Sequence, residues 1–91
     1  MLDSKEYEAV KEIERITGKG IVVGTSFLNE PPGIAFRRGK VRYLTLRNLG
    51  LASLPEVIRD FECLEELNVS RNALTEVPAW IWEFKHLKEL D

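Results

Sequence analysis

The stretch VRYLTLRNLGLASLPEVIRDFEC (residues 41–63) is followed directly by LEELNVSRNALTEVPAWIWEFKH (residues 64–86), and the two segments align without a gap over 23 positions. A fixed period in this range is typical of stacked structural repeats, in which one unit cannot bury its apolar edge alone. The sequence therefore predicts one coil at 41–63, a second at 64–86 and a partial third at 87–91. The matched positions are Val41/Leu64/Leu87, Leu44/Leu67/Leu90, Leu46/Val69, Leu51/Leu74, Leu54/Val77, Pro55/Pro78, Ile58/Ile81 and Phe61/Phe84.

The spacing inside one coil has a physical explanation. Leu67 and Val69 alternate as the inward residues of a short strand do. Asn72 follows where the chain turns, and its side chain is suited to bond backbone groups that no strand ladder satisfies. Leu74 and Val77 are expected to continue the buried row. The later apolar residues of each coil indicate a helical or 3₁₀ turn on the opposite side.

These residues resemble the leucine-rich repeat family in its 23-residue form, with a Leu-Pro motif at Leu54-Pro55 and Val77-Pro78. Residues 1–40 are similar to the N-terminal cap of some prokaryotic members. The resemblance implies an α/β leucine-rich repeat solenoid at 41–91, with short parallel strands and with helical or 3₁₀ turns on the convex side. An α-helix and a β-hairpin cap would precede it. The first repeat departs from the pattern, because Leu49 occupies the asparagine position and Asn48 stands one residue early.

The N-terminal segment predicts a helix over about residues 4–17. Asp3 is a suitable N-cap and Glu6, three residues on, completes a capping-box pattern. Gly18 is expected to end the helix. An apolar stripe at helical spacing is predicted to cover another element, since a lone helix of this length is unstable. Its members are Tyr7, Ala9, Val10, Ile13, Ile16 and Thr17.

The chain between this helix and the repeats predicts short strands. Residues 21–23 are a β-prone run, and residues 29–33, with two prolines and a glycine, indicate a loop or turn. Residues 34–46 predict a β-hairpin with its tight turn at Arg38-Gly39, where glycine supplies a positive φ. The second strand of the hairpin leads into the first repeat.

The composition argues against an enzyme. The 91 residues include one cysteine, Cys63, and one histidine, His86, which is too few for a metal site built on these ligands. The string Thr17-Gly18-Lys19-Gly20 lacks the spacing and the hydroxyl residue of a phosphate-binding loop. We therefore expect no catalytic, cofactor-binding or metal-binding residues. The sequence has no secretory signal or membrane-spanning run, and a single cysteine suits a reducing compartment, so we expect a cytoplasmic protein.

The net charge of −2 hides an uneven distribution. Residues 31–55 carry five basic residues and no acid, whereas residues 56–91 carry nine acids and four bases. The turn at 37–42 holds Arg37, Arg38, Lys40 and Arg42. This basic hairpin turn supports an alternative function, nucleic-acid or phosphate binding, although Tyr43 is the only adjacent aromatic and stacking proteins use several.

The family resemblance implies protein–protein recognition through a concave sheet face. Strand alternation predicts which side chains point outward from it. These partner-binding candidates are Tyr43, Thr45, Arg47, Glu66, Asn68 and Ser70, with Glu89 and Asp91 on the third strand. Tyr43 is the only outward aromatic and hence the best anchor. Parallel stacking also aligns Arg42, Glu65 and Lys88, which we interpret as a row of mutually neutralising charges.

Two tryptophans, Trp80 and Trp82, flank the buried position Ile81 on the convex side. They could shield the last coil as a C-terminal cap, form a subunit interface or contact another protein. The sequence stops within a third strand, so either the natural protein continues beyond residue 91 or the open end is closed by self-association. Of these alternatives we expect a homodimer or higher oligomer. The residues predicted for self-association or capping are Trp80, Trp82, Leu87 and Leu90.

Overall fold

A computed structural model describes residues 1–24 and 32–91 as a small α/β fold with one α-helix and a five-stranded, mostly parallel sheet. The elements are α1 (Ser4–Thr17), β1 (Val22–Val23), β2 (Gly33–Arg37), β3 (Lys40–Thr45), a first 3₁₀ helix (Glu56–Asp60), β4 (Glu66–Asn68), a second 3₁₀ helix (Ala79–Glu83) and β5 (Glu89–Leu90). The strands lie side by side in chain order. Only β2 and β3 are antiparallel.

The strand register follows the period of the sequence. Leu44 on β3 lies beside Leu67 on β4, and Leu67 lies beside Leu90 on β5. Each step spans the 23 residues of the alignment. The two 3₁₀ helices begin the same number of residues apart and each follows a proline. Residues matched in the sequence are therefore neighbours in space wherever the two coils are paired.

The hairpin of β2 and β3 turns at the predicted dipeptide. Arg38 and Gly39 have φ values of 56° and 80°, and a β-bulge separates Ala35 from Phe36. The Gly39 carbonyl accepts a hydrogen bond of 2.8 Å from the backbone N–H of Asp3. A Cβ atom at Gly39 would lie 3.3 Å from the Met1 carbonyl oxygen, so glycine serves both the turn and its docking on the start of α1. Residues 29–31 of the loop expected at 29–33 lie outside the described residues. The last residue of that expected loop, Gly33, belongs to β2.

Helix α1 begins and ends at the predicted residues, but its buried side differs from the prediction. Asp3 caps the backbone N–H of Lys5, and Gly18 ends the helix with φ of 72°. Glu6 does not complete a capping box. Its side chain turns inward, and its Oε1 accepts a 2.7 Å hydrogen bond from the N–H of Val41 on β3. Consequently Tyr7 and Ile16, expected in the buried stripe, are about half exposed.

A single apolar core joins α1, the sheet and the first 3₁₀ helix. Its largest fully buried side chains are Phe61, Ile13, Ile34, Leu44, Leu46, Ile58, Leu64, Leu67 and Ile81. The buried row weakens in the second coil, where Leu74 is partly buried and Val77 is 48% exposed. The expectation that Val77 is buried was therefore wrong. Its counterpart Leu54 is 8% exposed, because the second coil packs beside the first.

Asn72 links the two coils. Its Oδ1 accepts hydrogen bonds from the backbone N–H groups of Leu49 and Leu51, at 2.9 and 3.0 Å. Its Nδ2 donates to the carbonyls of Leu46, Val69 and Ser70, at 2.9, 2.8 and 3.3 Å. The predicted role of this side chain is confirmed and extends further, because the amide serves backbone groups of both coils.

The burial of Glu6 places a charge where solvation is poor. The side chain is 1% exposed, and its Oε2 has no hydrogen-bond partner within the described residues. The Lys40 ammonium lies 3.9 Å away but forms its shorter contact, 2.6 Å, with Asp3. Burial raises the pKa of Glu6, and the Val41 N–H and Lys40 only partly oppose this effect.

We predict that Glu6→Gln gains stability relative to the wild-type protein as pH rises from 4.5 to 7. The raised pKa means that the folded state binds the Glu6 proton more tightly than the unfolded state, so ionisation above pH 4.5 costs stability. Glutamine cannot ionise and keeps an acceptor for the Val41 N–H. Urea unfolding at several pH values measures the difference.

Glu14→Gln is the control of opposite sign. The hydrogen bond from the Ile21 N–H lowers the pKa of Glu14, so this carboxylate contributes stability that is lost as pH falls below 4.5. Glu14→Gln should therefore lose stability relative to wild type as pH rises. A Glu6→Gln difference that stays constant from pH 4.5 to 7 would contradict the prediction.

Candidate protein-binding surface

The outward side of β3, β4 and β5 forms a hollow of about 230 Å³, which we call the strand-face hollow. It lies where the sequence placed the partner-binding residues, since the parallel register brings Tyr43, Glu66 and Glu89 into one row across the sheet. The next outward row contains Thr45 and Asn68. The lining residues are Tyr43, Leu44, Thr45, Glu66, Leu67, Asn68, Glu89 and Asp91.

The six predicted partner-binding residues are not equivalent in the structure. Tyr43, Glu66 and Asn68 line the strand-face hollow and are partly exposed. Thr45 also lines it, but only 3% of its surface is exposed because Gly33 on β2 and Asn68 on β4 flank it. The expectation that Thr45 offers its side chain to a partner therefore needs correction. It forms part of the floor of the hollow.

The remaining two predicted residues lie beyond the hollow. Arg47 and Ser70 are partly buried and line no part of it. The Asn68 Oδ1 accepts hydrogen bonds from the backbone N–H and the hydroxyl of Ser70, at 3.0 and 2.7 Å. The pair is held in one conformation, so Asn68 presents a fixed side chain to the hollow.

The strand-face hollow is acidic. Glu66, Glu89 and Asp91 line it, and no lysine or arginine does so among the described residues. Burial raises the pKa of Glu66, and the neighbouring Glu89 carboxylate adds to the effect through its charge and a hydrogen bond. The physical cause is that the partly buried Glu66 lies beside a second carboxylate, that of the exposed Glu89. A cation brought into the hollow would relieve their repulsion.

The predicted charge row forms one step away from the hollow. Glu65 lies 3.5 Å from the Arg42 guanidinium and 3.8 Å from the Lys88 ammonium. Arg37 adds a third cation at 3.7 Å, a contact that the repeat alignment did not indicate because Arg37 lies on β2. The charges of the row pair with one another, as interpreted, with three cations around one carboxylate. The Arg42 and Glu65 side chains are mostly buried, whereas Arg37 and Lys88 are exposed, and pairs with exposed partners contribute little stability.

The basic turn at 37–42 is largely occupied by internal ion pairs. Lys40 contacts Asp3 and Glu6, while Arg37 and Arg42 contact Glu65. Arg38 is the one cation of the turn that forms no ion pair within residues 1–24 and 32–91. The folded turn therefore offers much less free positive charge than the sequence indicates.

The two tryptophans differ in how far they are exposed to solvent. Trp80 is partly buried against the core and packs edge-to-face on Phe84, with ring centroids 6.3 Å apart. Trp82 is 72% exposed and shields no part of the described core. Leu87 and Leu90 are partly buried against the core. Of the residues predicted for capping or self-association, three contribute to packing and Trp82 remains an exposed aromatic surface.

Within the part of the chain that the structure describes, no group of three or more His, Cys, Asp or Glu residues could hold a metal ion. Among those residues, none of the helices is both long and apolar enough to cross a membrane. Searches of protein-family models, of curated proteins and of solved structures find no match to this chain.

Proposed function

We propose that this protein is a non-enzymatic protein–protein interaction module of the leucine-rich repeat type, which binds its partner through the strand-face hollow. The observation that supports it most is the hollow itself, in which Tyr43 and three carboxylates line one surface of the sheet. The 23-residue register of β3, β4 and β5 supports the solenoid assignment. The free, partly buried Cys63 suits a reducing compartment, and we propose a cytoplasmic location.

The charge of the hollow favours a basic partner segment. An arginine or lysine side chain entering between Glu66 and Glu89 would neutralise carboxylates that repel each other. Tyr43 stands in the same row and adds an aromatic side chain to the lining of the hollow. Beside the hollow, Arg37, Arg42 and Lys88 surround the single carboxylate of Glu65, and this excess of positive charge would repel a long basic segment. We therefore expect one or two basic side chains to enter the hollow.

A peptide titration tests this proposal. Three 15-residue peptides with net charges of about +3, 0 and −3 are added to isotope-labelled protein, and amide chemical shifts are followed by NMR. We expect the basic peptide alone to shift amides of residues 43–45, 66–68 and 89–91. Tyr43→Ala and Glu66→Gln should each weaken its binding by roughly 5- to 20-fold, as expected for loss of an aromatic or charged contact.

Trp82→Ala is the matched control, because it removes an exposed aromatic far from the hollow. It should leave peptide binding unchanged. Shifts confined to the convex side, or equal binding of all three peptides, would contradict the proposal. Salt-sensitive binding of a 20-nucleotide single-stranded DNA that is lost in Arg38→Glu would favour the alternative nucleic-acid function instead.

We also propose that the protein self-associates through its C-terminal coil. β5 is the last strand of the sheet, and an edge strand can pair with another chain. Val77 is 48% exposed and lines a hollow together with Leu90 of β5, which adds apolar surface beside this edge. Trp82 is a second exposed apolar residue of the same coil. Leu87 and Leu90, which pack from the edge onto the core, would lie at the margin of such a contact.

A further inference from the structure

A second hollow lies at the end of the sheet beside β5, and we call it the end groove. It has a volume of about 250 Å³ and an apolar floor that includes Leu74, Val77 and Leu90. Val77 is 48% exposed there, whereas Leu54, its counterpart one coil earlier, is 8% exposed. Each coil therefore has a side that is suited to being covered, and in the second coil this side faces solvent.

Backbone N–H groups in the end groove also indicate a surface that is suited to being covered. In the first coil, the Leu49 and Leu51 N–H groups donate to the Asn72 side chain, and the Leu51 carbonyl accepts from the Ala73 N–H at 2.8 Å. The groups one period later are the N–H groups of Asn72 and Leu74. Within residues 1–24 and 32–91 they donate no hydrogen bond. The end groove therefore presents donors that need an acceptor.

Two opposite charges border this groove. Arg71 and Asp91 both line it and are exposed. Neither forms an ion pair with any other described residue. A surface that carries one free cation and one free anion beside an apolar floor is complementary to itself. In a contact with two-fold symmetry, every pair of residues occurs twice. If a residue of the first copy contacts a given residue of the second, the same two residues also meet with the copies exchanged.

We propose that the end groove docks a second copy of the same chain about a two-fold axis, with Arg71 of each copy paired with Asp91 of the other. The proposal rests on the self-association suggested above and specifies its surface and symmetry. The Asp91 carboxylate of the second copy also supplies the acceptor that the exposed N–H groups of Asn72 and Leu74 lack. Val77 and Leu74 of the two copies meet at the centre.

The size of the molecule bounds the strength of this contact. Its principal extents are 33 × 26 × 23 Å, so a single face buries at most roughly 850 Å² per copy, and less if only part of it touches. The end groove occupies only part of such a face, so the contact falls below the roughly 800 Å² per partner of a stable interface, and we infer a weak dimer. We expect a dissociation constant of about 1–100 µM.

Sedimentation equilibrium between about 1 and 500 µM tests the proposal. Wild type should pass from monomer to dimer without larger species, because a two-fold contact closes on itself. Arg71→Asp and Asp91→Arg should each weaken the dimer by at least about tenfold. The double charge swap should return to within about threefold of wild type, because the reciprocal pairs reform with reversed signs. Val77→Asp should abolish dimerisation.

Arg38→Glu is the control, since Arg38 is another exposed arginine without an ion pair and lies on the hairpin turn rather than beside the end groove. It should leave the dimer unchanged. A wild-type chain that stays monomeric at 500 µM would overturn both the self-association and this surface. A dimer that Arg71→Asp, Asp91→Arg and Val77→Asp all leave intact would overturn only the end groove. Because Asp91 also lines the strand-face hollow, Asp91→Arg should weaken peptide binding as well. Arg71→Asp and Val77→Asp lie outside that hollow and should leave peptide binding unchanged, so these two variants distinguish a failure of the end groove from a failure of the peptide site.

Discussion

Asn72→Ala should lower the free energy of unfolding by about 3 kcal/mol, since each of its neutral hydrogen bonds contributes roughly 0.5–1.5 kcal/mol net. The side chain makes five such bonds to the backbone. Alanine would remove the partner of two N–H groups, those of Leu49 and Leu51, and of the Leu46 and Val69 carbonyls, and unmade bonds in such places are expensive. The substitution therefore weakens the contact between the two coils.

Urea unfolding at about 0.1 µM protein measures this loss, since this concentration lies below the whole range expected for the dissociation constant of the dimer and the dimer contributes little. The matched control is Asn48→Gly, which also removes an asparagine amide but at an exposed turn position with φ of 61°. Glycine adopts this conformation without strain, so we expect a change within about 0.5 kcal/mol. Equal losses for both variants would show that Asn72 does not hold the coils together.

Phe61→Ala should cost about 3–5 kcal/mol, the usual range for emptying a fully buried aromatic site. Phe61 is 0% exposed and is the largest fully buried side chain of the core. A domain of this length has a total stability of roughly 5–14 kcal/mol, so the variant loses a large fraction of it. The cavity would lie beneath the first coil, where helix α1 and the first 3₁₀ helix pack together.

Phe84→Ala provides the comparison, because Phe84 holds the same place one period later but is only partly buried. It should cost about 1–2 kcal/mol, since less surface leaves the core and water can fill part of the space. Thermal unfolding followed by circular dichroism ranks the two variants. A larger loss for Phe84→Ala would show that the second coil, rather than the first, anchors the fold.

Local rules predicted parts of α1 well and its packing poorly. Asp3 and Gly18 end the helix as expected, because caps depend on residues within one turn. The capping-box pattern at Glu6 failed because Val41, 35 residues away, offers a buried backbone donor that competes for the same carboxylate. The buried side of the helix consists of Glu6, Ala9, Val10 and Ile13, and Tyr7 and Ile16 lie outside it.

Local rules likewise predicted some features of the candidate surfaces and missed others. Strand alternation identified the row of the strand-face hollow, because side chains of adjacent parallel strands point the same way. It did not reveal that Thr45 is buried between β2 and β4 or that Trp82 is exposed. Exposure depends on what packs beside a residue, and the alignment of two coils contains no information on this.

The amino-acid sequence by itself determined the 23-residue register, the position of the helix and hairpin, and the role of Asn72, since each follows from spacing, turn chemistry or caps along the chain. Only the tertiary structure decided which charges remain free. The fold pairs Arg37, Lys40 and Arg42 with acids that are distant in sequence. Arg71 and Asp91, in contrast, form no ion pair among the described residues. The physical reason is that ion pairs and burial depend on distances across the fold, which one-dimensional periodicity does not specify.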